Sequence, residues 1–87
     1  MKSEYFSRQQ IGGESMTLRE LREKKMLTQQ QLAKLIGVTQ RTISAYEIGQ
    51  AKPSLDVAIR LAKALGVSVE DVFEAWVEGK SSQSPSE

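Results

Sequence analysis

The sequence predicts an all-α fold, a compact bundle of five helices, on three observations. Thr17, Thr28, Thr39, Ser54 and Ser68 each stand just ahead of an apolar-periodic run, where a side-chain oxygen can cap the first turn of a helix. Gly37, Gly49, Gly66 and Gly79 follow those runs at positions that suit helix C-termini. From Met16 to Glu78 no alternating apolar and polar stretch of useful length suggests a strand.

Each helix has its own justification. The first is expected over residues 18–25, where Thr17 and Glu20 make a capping box, Met16 can staple onto Leu21, and Leu18 and Leu21 face inward. The second, over 29–36, repeats the pattern with Thr28 and Gln31, a Leu27–Leu32 staple, and Leu32, Leu35 and Ile36 inward. The third, over 40–48, follows Thr39, pairs Val38 with Ile43, and buries Ile43 and Tyr46. Pro53 closes the loop before a fourth helix over 55–65, capped by Ser54, whose inward residues are Leu55, Ile59, Leu61, Ala62 and Leu65. The fifth, over 69–77, starts with Ser68 and Asp71, staples Val67 to Val72, and turns Val72, Phe73 and Trp76 inward.

The flanks read differently. Residues 1–15 show no period beyond Tyr5-Phe6 and contain Gly12-Gly13. They are expected to be an N-terminal extension, either without function or an arm in which Tyr5, Phe6 and Ile11 steady a dimer or touch DNA. The Ser-rich stretch 79–87, GKSSQSPSE, is expected to be a disordered tail, which leaves 16–78 as the domain.

Composition sets the function classes. At 87 residues the chain makes one domain at most, and 39% hydrophobic with 26% charged residues suits a globular chain. It has no Cys and no His, so thiolate chemistry, disulfides and the commonest general base and zinc ligand are absent. So short a chain leaves little room for a substrate cleft. No cofactor or metal site and no enzyme activity are therefore expected. No run of about 18 apolar residues could span a membrane, and the N-terminus lacks a secretory apolar core, so a cytoplasmic location is expected.

Bulk charge is uninformative until it is divided. The net charge is +1 and the isoelectric point about 8.0, below the value of about 9 that marks a strongly basic nucleic-acid binder. From Thr17 to Pro53, however, seven basic residues face three acidic ones, a net +4, whereas Ser54 to Glu78 carries a net −3. The first three helices are a basic half suited to a polyanion.

The stretch Gln29 to Ile48, QQQLAKLIGVTQRTISAYEI, carries the functional signal. A helix, a turn at Gly37 and a second helix have helix-turn-helix spacing, with the small Ala33 where the helices approach and Leu32, Ile36, Val38, Ile43 and Tyr46 in the wedge. On these residues the segment from Met16 to about Trp76 resembles the lambda-repressor-like, Cro/Xre-type helix-turn-helix DNA-binding domain. That resemblance implies a third helix in the DNA major groove, in a homodimer on a palindromic operator.

Position by position, the resemblance implies base contacts from Gln40, Arg41, Ser44 and Ala45, with Gln40 suited to adenine and Arg41 to guanine. It implies phosphate contacts from Thr28, Gln29, Thr39, Thr42, Gln50 and Lys52, and a structural ion pair between Arg22 and Glu47. Where the family often carries E-N-G-K or E-R-G-K, this chain has Glu47-Ile48-Gly49-Gln50. Trp76 has two readings, a cap on the core or, with Val69 and Val77, part of a dimer interface. The expected function is a sequence-specific double-stranded-DNA-binding transcriptional regulator, a repressor on the nucleoid. The alternatives are the antitoxin of a toxin–antitoxin pair and a protein-interaction module that no longer binds DNA.

Overall fold

A computed structural model of the chain describes residues 16–82. The described residues form five helices and no strand: α1 (Leu18–Lys24), α2 (Gln29–Ile36), α3 (Gln40–Glu47), α4 (Leu55–Leu65) and α5 (Val69–Ser82). Helix α2 packs on α3 and α4, while α5 packs along α4 and reaches back to α1 and α3. The fold is all-α, as predicted. The readings of residues 1–15 and 83–87 lie outside the described residues.

Local chemistry starts every helix. Thr17 and Thr28 each accept from the third helical N–H, and Glu20 and Gln31 accept in return from the cap backbone, giving two full capping boxes. Thr39 and Ser54 accept from the amides of Thr42 and Val57. Ser68 and Asp71 exchange bonds of 3.2 and 3.0 Å. Each cap contributes about 1 kcal/mol, which matters in helices too short to persist alone.

The core draws on all five helices: Leu18; Leu32, Ala33 and Ile36; Ile43 and Tyr46; Ala58, Leu61, Ala62 and Leu65; and Val72, Ala75 and Trp76. Full burial of one large apolar side chain contributes about 1.5–3 kcal/mol, so these residues supply most of the cohesion. Leu21 and Phe73 pack half-buried against them. Three residues expected inside are not. Leu35, Leu55 and Ile59 are 62%, 63% and 39% exposed. On α4 the buried face is set by Ala58, Leu61, Ala62 and Leu65, which leaves Leu55 on the open first turn and Ile59 to one side. On α2, Leu32, Ala33 and Ile36 take the inner face and Leu35 falls off it.

Two further differences concern helix ends. The α1–α2 turn is made by Met26 at φ +59°, a left-handed conformation on a residue that is 87% exposed. Helix α5 does not stop before Gly79 but runs to Ser82, so residues 79–82 belong to the domain rather than to a tail. Gly79 is buried inside the helix, where a Cβ would stand 2.8 Å from the carbonyl oxygen of Glu47. The glycine serves close packing there and does not end the helix.

Candidate nucleic-acid interface

The α2–α3 pair depends on its turn. Gly37 adopts φ +77°, which lets the amide of Val38 reach back 2.9 Å to the carbonyl of Ala33 and turn the chain into α3. Ala33 and Ile43, 3% and 1% exposed, let the two helices approach closely. The end of α2 has a partner the sequence did not reveal: Arg60 on α4 donates 3.2 Å to the carbonyl of Ile36 and 3.3 Å to Asp56.

A buried ion pair holds the inner side of α3. Arg22 donates from Nε to Oε2 of Glu47 at 2.6 Å and from Nη2 to Oε1 at 3.2 Å, a bidentate fork joining α1 to α3. Its Nη1 donates to the carbonyl of Leu27 at 2.9 Å. The hydrogen bond to Glu47 raises the Arg22 pKa above its ordinary value, so the guanidinium stays charged despite burial. Among the described residues no buried side-chain nitrogen or oxygen lacks a hydrogen-bond partner. Arg22 is committed to this pair and turned away from solvent.

The network continues outward to the helix tips. Gln29 donates from Nε2 to Glu47 Oε1 at 3.0 Å, and Gln40 donates from Nε2 to Gln29 Oε1 at 3.2 Å. The first residue of α3 is thereby tied through the first residue of α2 to the buried pair. Gln29 keeps one amide hydrogen outside these bonds. The backbone N–H groups of Gln29 and Gln30 are the open donors that any helix start presents.

The outer face is open. Gln40 and Arg41 are exposed at the leading end of α3, and Ser44 and Ala45 are half-buried one turn on. Arg41, Thr42, Ser44, Ala45, Gln50 and Lys52 line one groove of about 520 Å³. Thr28, Gln29 and Gln40 line a second, of about 390 Å³, across the tips of α2 and α3. The structure thus gathers the candidate contacts in two adjoining sets, with Thr39 apart at the cap. There the Oγ1 atoms of Thr39 and Thr42 lie 2.9 Å apart in a single hydrogen bond, leaving one hydroxyl hydrogen for another acceptor.

Trp76 has a role inside its own chain. It is 9% exposed, and its indole Nε1 donates to the carbonyl of Ala51 at 2.8 Å, pinning the loop after α3 to α5. Of the two readings of Trp76, this burial and hydrogen bond suit the cap on the core. Val69 is half-buried against the core and Val77 is 52% exposed, so Val77 alone of the three presents an open apolar surface. Lys52 is exposed, with Nζ 5.8 Å from the Phe73 ring centre and 5.7 Å from that of Trp76. Sequence reasoning missed Lys80 by placing it in a tail; its Nζ lies 5.1 Å from the same Trp76 ring.

Among the described residues no three His, Cys, Asp or Glu side chains cluster as metal ligands. No helix among the described residues is long and apolar enough to cross a membrane. A bundle with a short helix-turn-helix, an internally anchored third helix and an open polar outer face defines a helix-turn-helix domain. The comparisons agree: a helix-turn-helix family profile matches residues 18–72, and the chain belongs to that family. It is a family of DNA-binding regulators, not of enzymes.

Relatives place it further. It is 51% identical over 47 residues to an uncharacterized HTH-type transcriptional regulator of Methanocaldococcus jannaschii, covering 54% of this chain and 71% of the relative. Another, from Methanothermobacter thermautotrophicus, is 49% identical over 57 residues, covering 64% of this chain and 83% of the relative. The uncharacterized HTH-type transcriptional regulator YgzD of Bacillus subtilis is 39% identical over 61 residues, covering 70% and 89%. No solved structure matches the chain.

Proposed function

We propose that this protein is a sequence-specific regulator of transcription that binds double-stranded DNA as a homodimer and represses by occupying a palindromic operator. One observation carries the reading. The inner face of α3 is locked by Ile43, Tyr46 and Glu47, while its outer face, led by Gln40 and Arg41, opens onto a groove bordered by Gln50 and Lys52. A helix held rigidly from behind, with an amide and a guanidinium at its leading end, suits base-edge recognition in the major groove. The names of the relatives support the same class. In a dimer the two copies of α3 would stand about 34–36 Å apart, one turn of DNA. The place of action would be the cytoplasm, on the nucleoid.

The test is selection of bound duplexes from a random library with the purified full chain. A palindromic consensus with half-sites about one turn apart is the expected result. A consensus without two-fold symmetry would overturn the homodimer, and no enrichment at low salt would overturn DNA binding.

A further inference from the structure

We propose that Lys80, on the last turns of α5, joins Lys52 in a two-ammonium cradle for a DNA backbone phosphate beside the groove bordered by α3. The inference rests on the DNA-binding reading above and adds to it a contact from a helix outside the helix-turn-helix.

Three observations build the cradle. The two ammonium groups converge on one ring: Lys80 Nζ and Lys52 Nζ lie 5.1 and 5.7 Å from the centre of Trp76, and both side chains are exposed. The ring is fixed by its 2.8 Å bond to Ala51, so each lysine lies against a rigid platform. Neither forms an ion pair among the described residues. With no carboxylate on either ammonium group, a phosphate arriving at this end of the groove is attracted by both charges, and each keeps its cation–π contact.

The position is also specific. Gly79 lacks the Cβ that would strike the Glu47 carbonyl, so α5 continues along the end of α3 and carries Lys80 onto the following loop. A Cβ on Gly49 would come within 2.8 Å of both Cβ and Cγ of Lys80, so the lysine stem lies directly on the loop backbone. That loop is poor in charge of its own. Ile48 is apolar and 38% exposed, Gln50 is neutral, and Lys52 is the one cation between Glu47 and Pro53. Gln50 and Lys52 border the groove that holds Arg41. Lys80 thus doubles the positive charge at the rim where a phosphate flanking the contacted bases would lie.

The test measures the salt dependence of binding of the full chain to its selected duplex. Lys80→Met should make the slope of log K against log salt shallower by about 0.9, leave the base consensus intact and leave the thermal midpoint unchanged. Lys52→Met should act alike, and the double variant should lose about twice as much slope. Lys63→Met, an exposed lysine on α4, should leave the slope as it is. An unchanged slope for Lys80→Met would overturn the cradle while leaving DNA binding standing. An equal loss for Lys63→Met would also overturn it, because Lys80 would then act only through the general field. Failure of the parent chain to bind any duplex would overturn both readings.

Discussion

Gly79 of α5 faces the backbone carbonyl of Glu47 at the end of α3 so closely that a Cβ on the glycine would sit 2.8 Å from the oxygen. Because the obstacle is backbone rather than a movable side chain, Gly79→Ala must displace α5 or the end of α3. Alanine's advantage of about 1 kcal/mol in helix propensity is opposed by an overpacking cost of about 1–3 kcal/mol. The expected result is a net loss of up to about 2 kcal/mol in urea unfolding, and a midpoint above the parent's would show that the contact is soft.

The Arg22–Glu47 pair should behave as a buried ion pair does. Arg22 is 8% and Glu47 9% exposed, so removing one partner strands a charge away from water. Arg22→Met is expected to cost about 3–5 kcal/mol, a large share of the stability of any small domain. The double variant with Glu47→Leu should recover much of that loss, because no charge is left stranded. Urea titration of both variants checks the sign, and a double variant as unstable as the single one would mean that the surrounding hydrogen bonds dominate.

Met26 offers a stabilising change. Its left-handed backbone costs a residue with a Cβ about 1–2 kcal/mol, while its side chain is almost wholly in solvent. Met26→Gly removes the strain and adds back about 0.4–1 kcal/mol of unfolded-state entropy. A gain of about 0.5–1 kcal/mol should appear as a higher urea midpoint with unchanged slope.

Arg41 and Lys52 should separate base recognition from backbone binding. Arg41→Ala is expected to cost about 1–3 kcal/mol on the selected duplex and to relax preference at one base pair. Lys52→Ala should weaken binding evenly across sequences and reduce the salt slope by about one. Competition binding against single-base variants of the duplex distinguishes them. An even loss for Arg41→Ala would move that residue to the phosphates.

Much of this architecture could be read directly. Cap chemistry is local, with donor and acceptor three residues apart, so the starts of all five helices were legible in Thr17, Thr28, Thr39, Ser54 and Ser68. Helix-turn-helix spacing around Gly37 was legible for the same reason, because the turn needs one left-handed residue at one position. Burial was less so. Apolar character alone does not distinguish Leu61, 1% exposed, from Leu55, 63% exposed, since the difference depends on which face meets another helix.

What the sequence determined by itself was the all-α class, the helix starts and the polar outer face of α3, all set by interactions within a few residues. Tertiary structure alone decided that Trp76 pins the loop after α3, that Arg60 closes α2, and that α5 passes Gly79 to bring Lys80 over Gly49. Each joins residues about 24 to 32 positions apart or overrides a local stop signal. A glycine in isolation favours the end of a helix through its freedom at positive φ, whereas a glycine facing a carbonyl is favoured for its missing Cβ. Only the packing of α5 against α3 distinguishes the two.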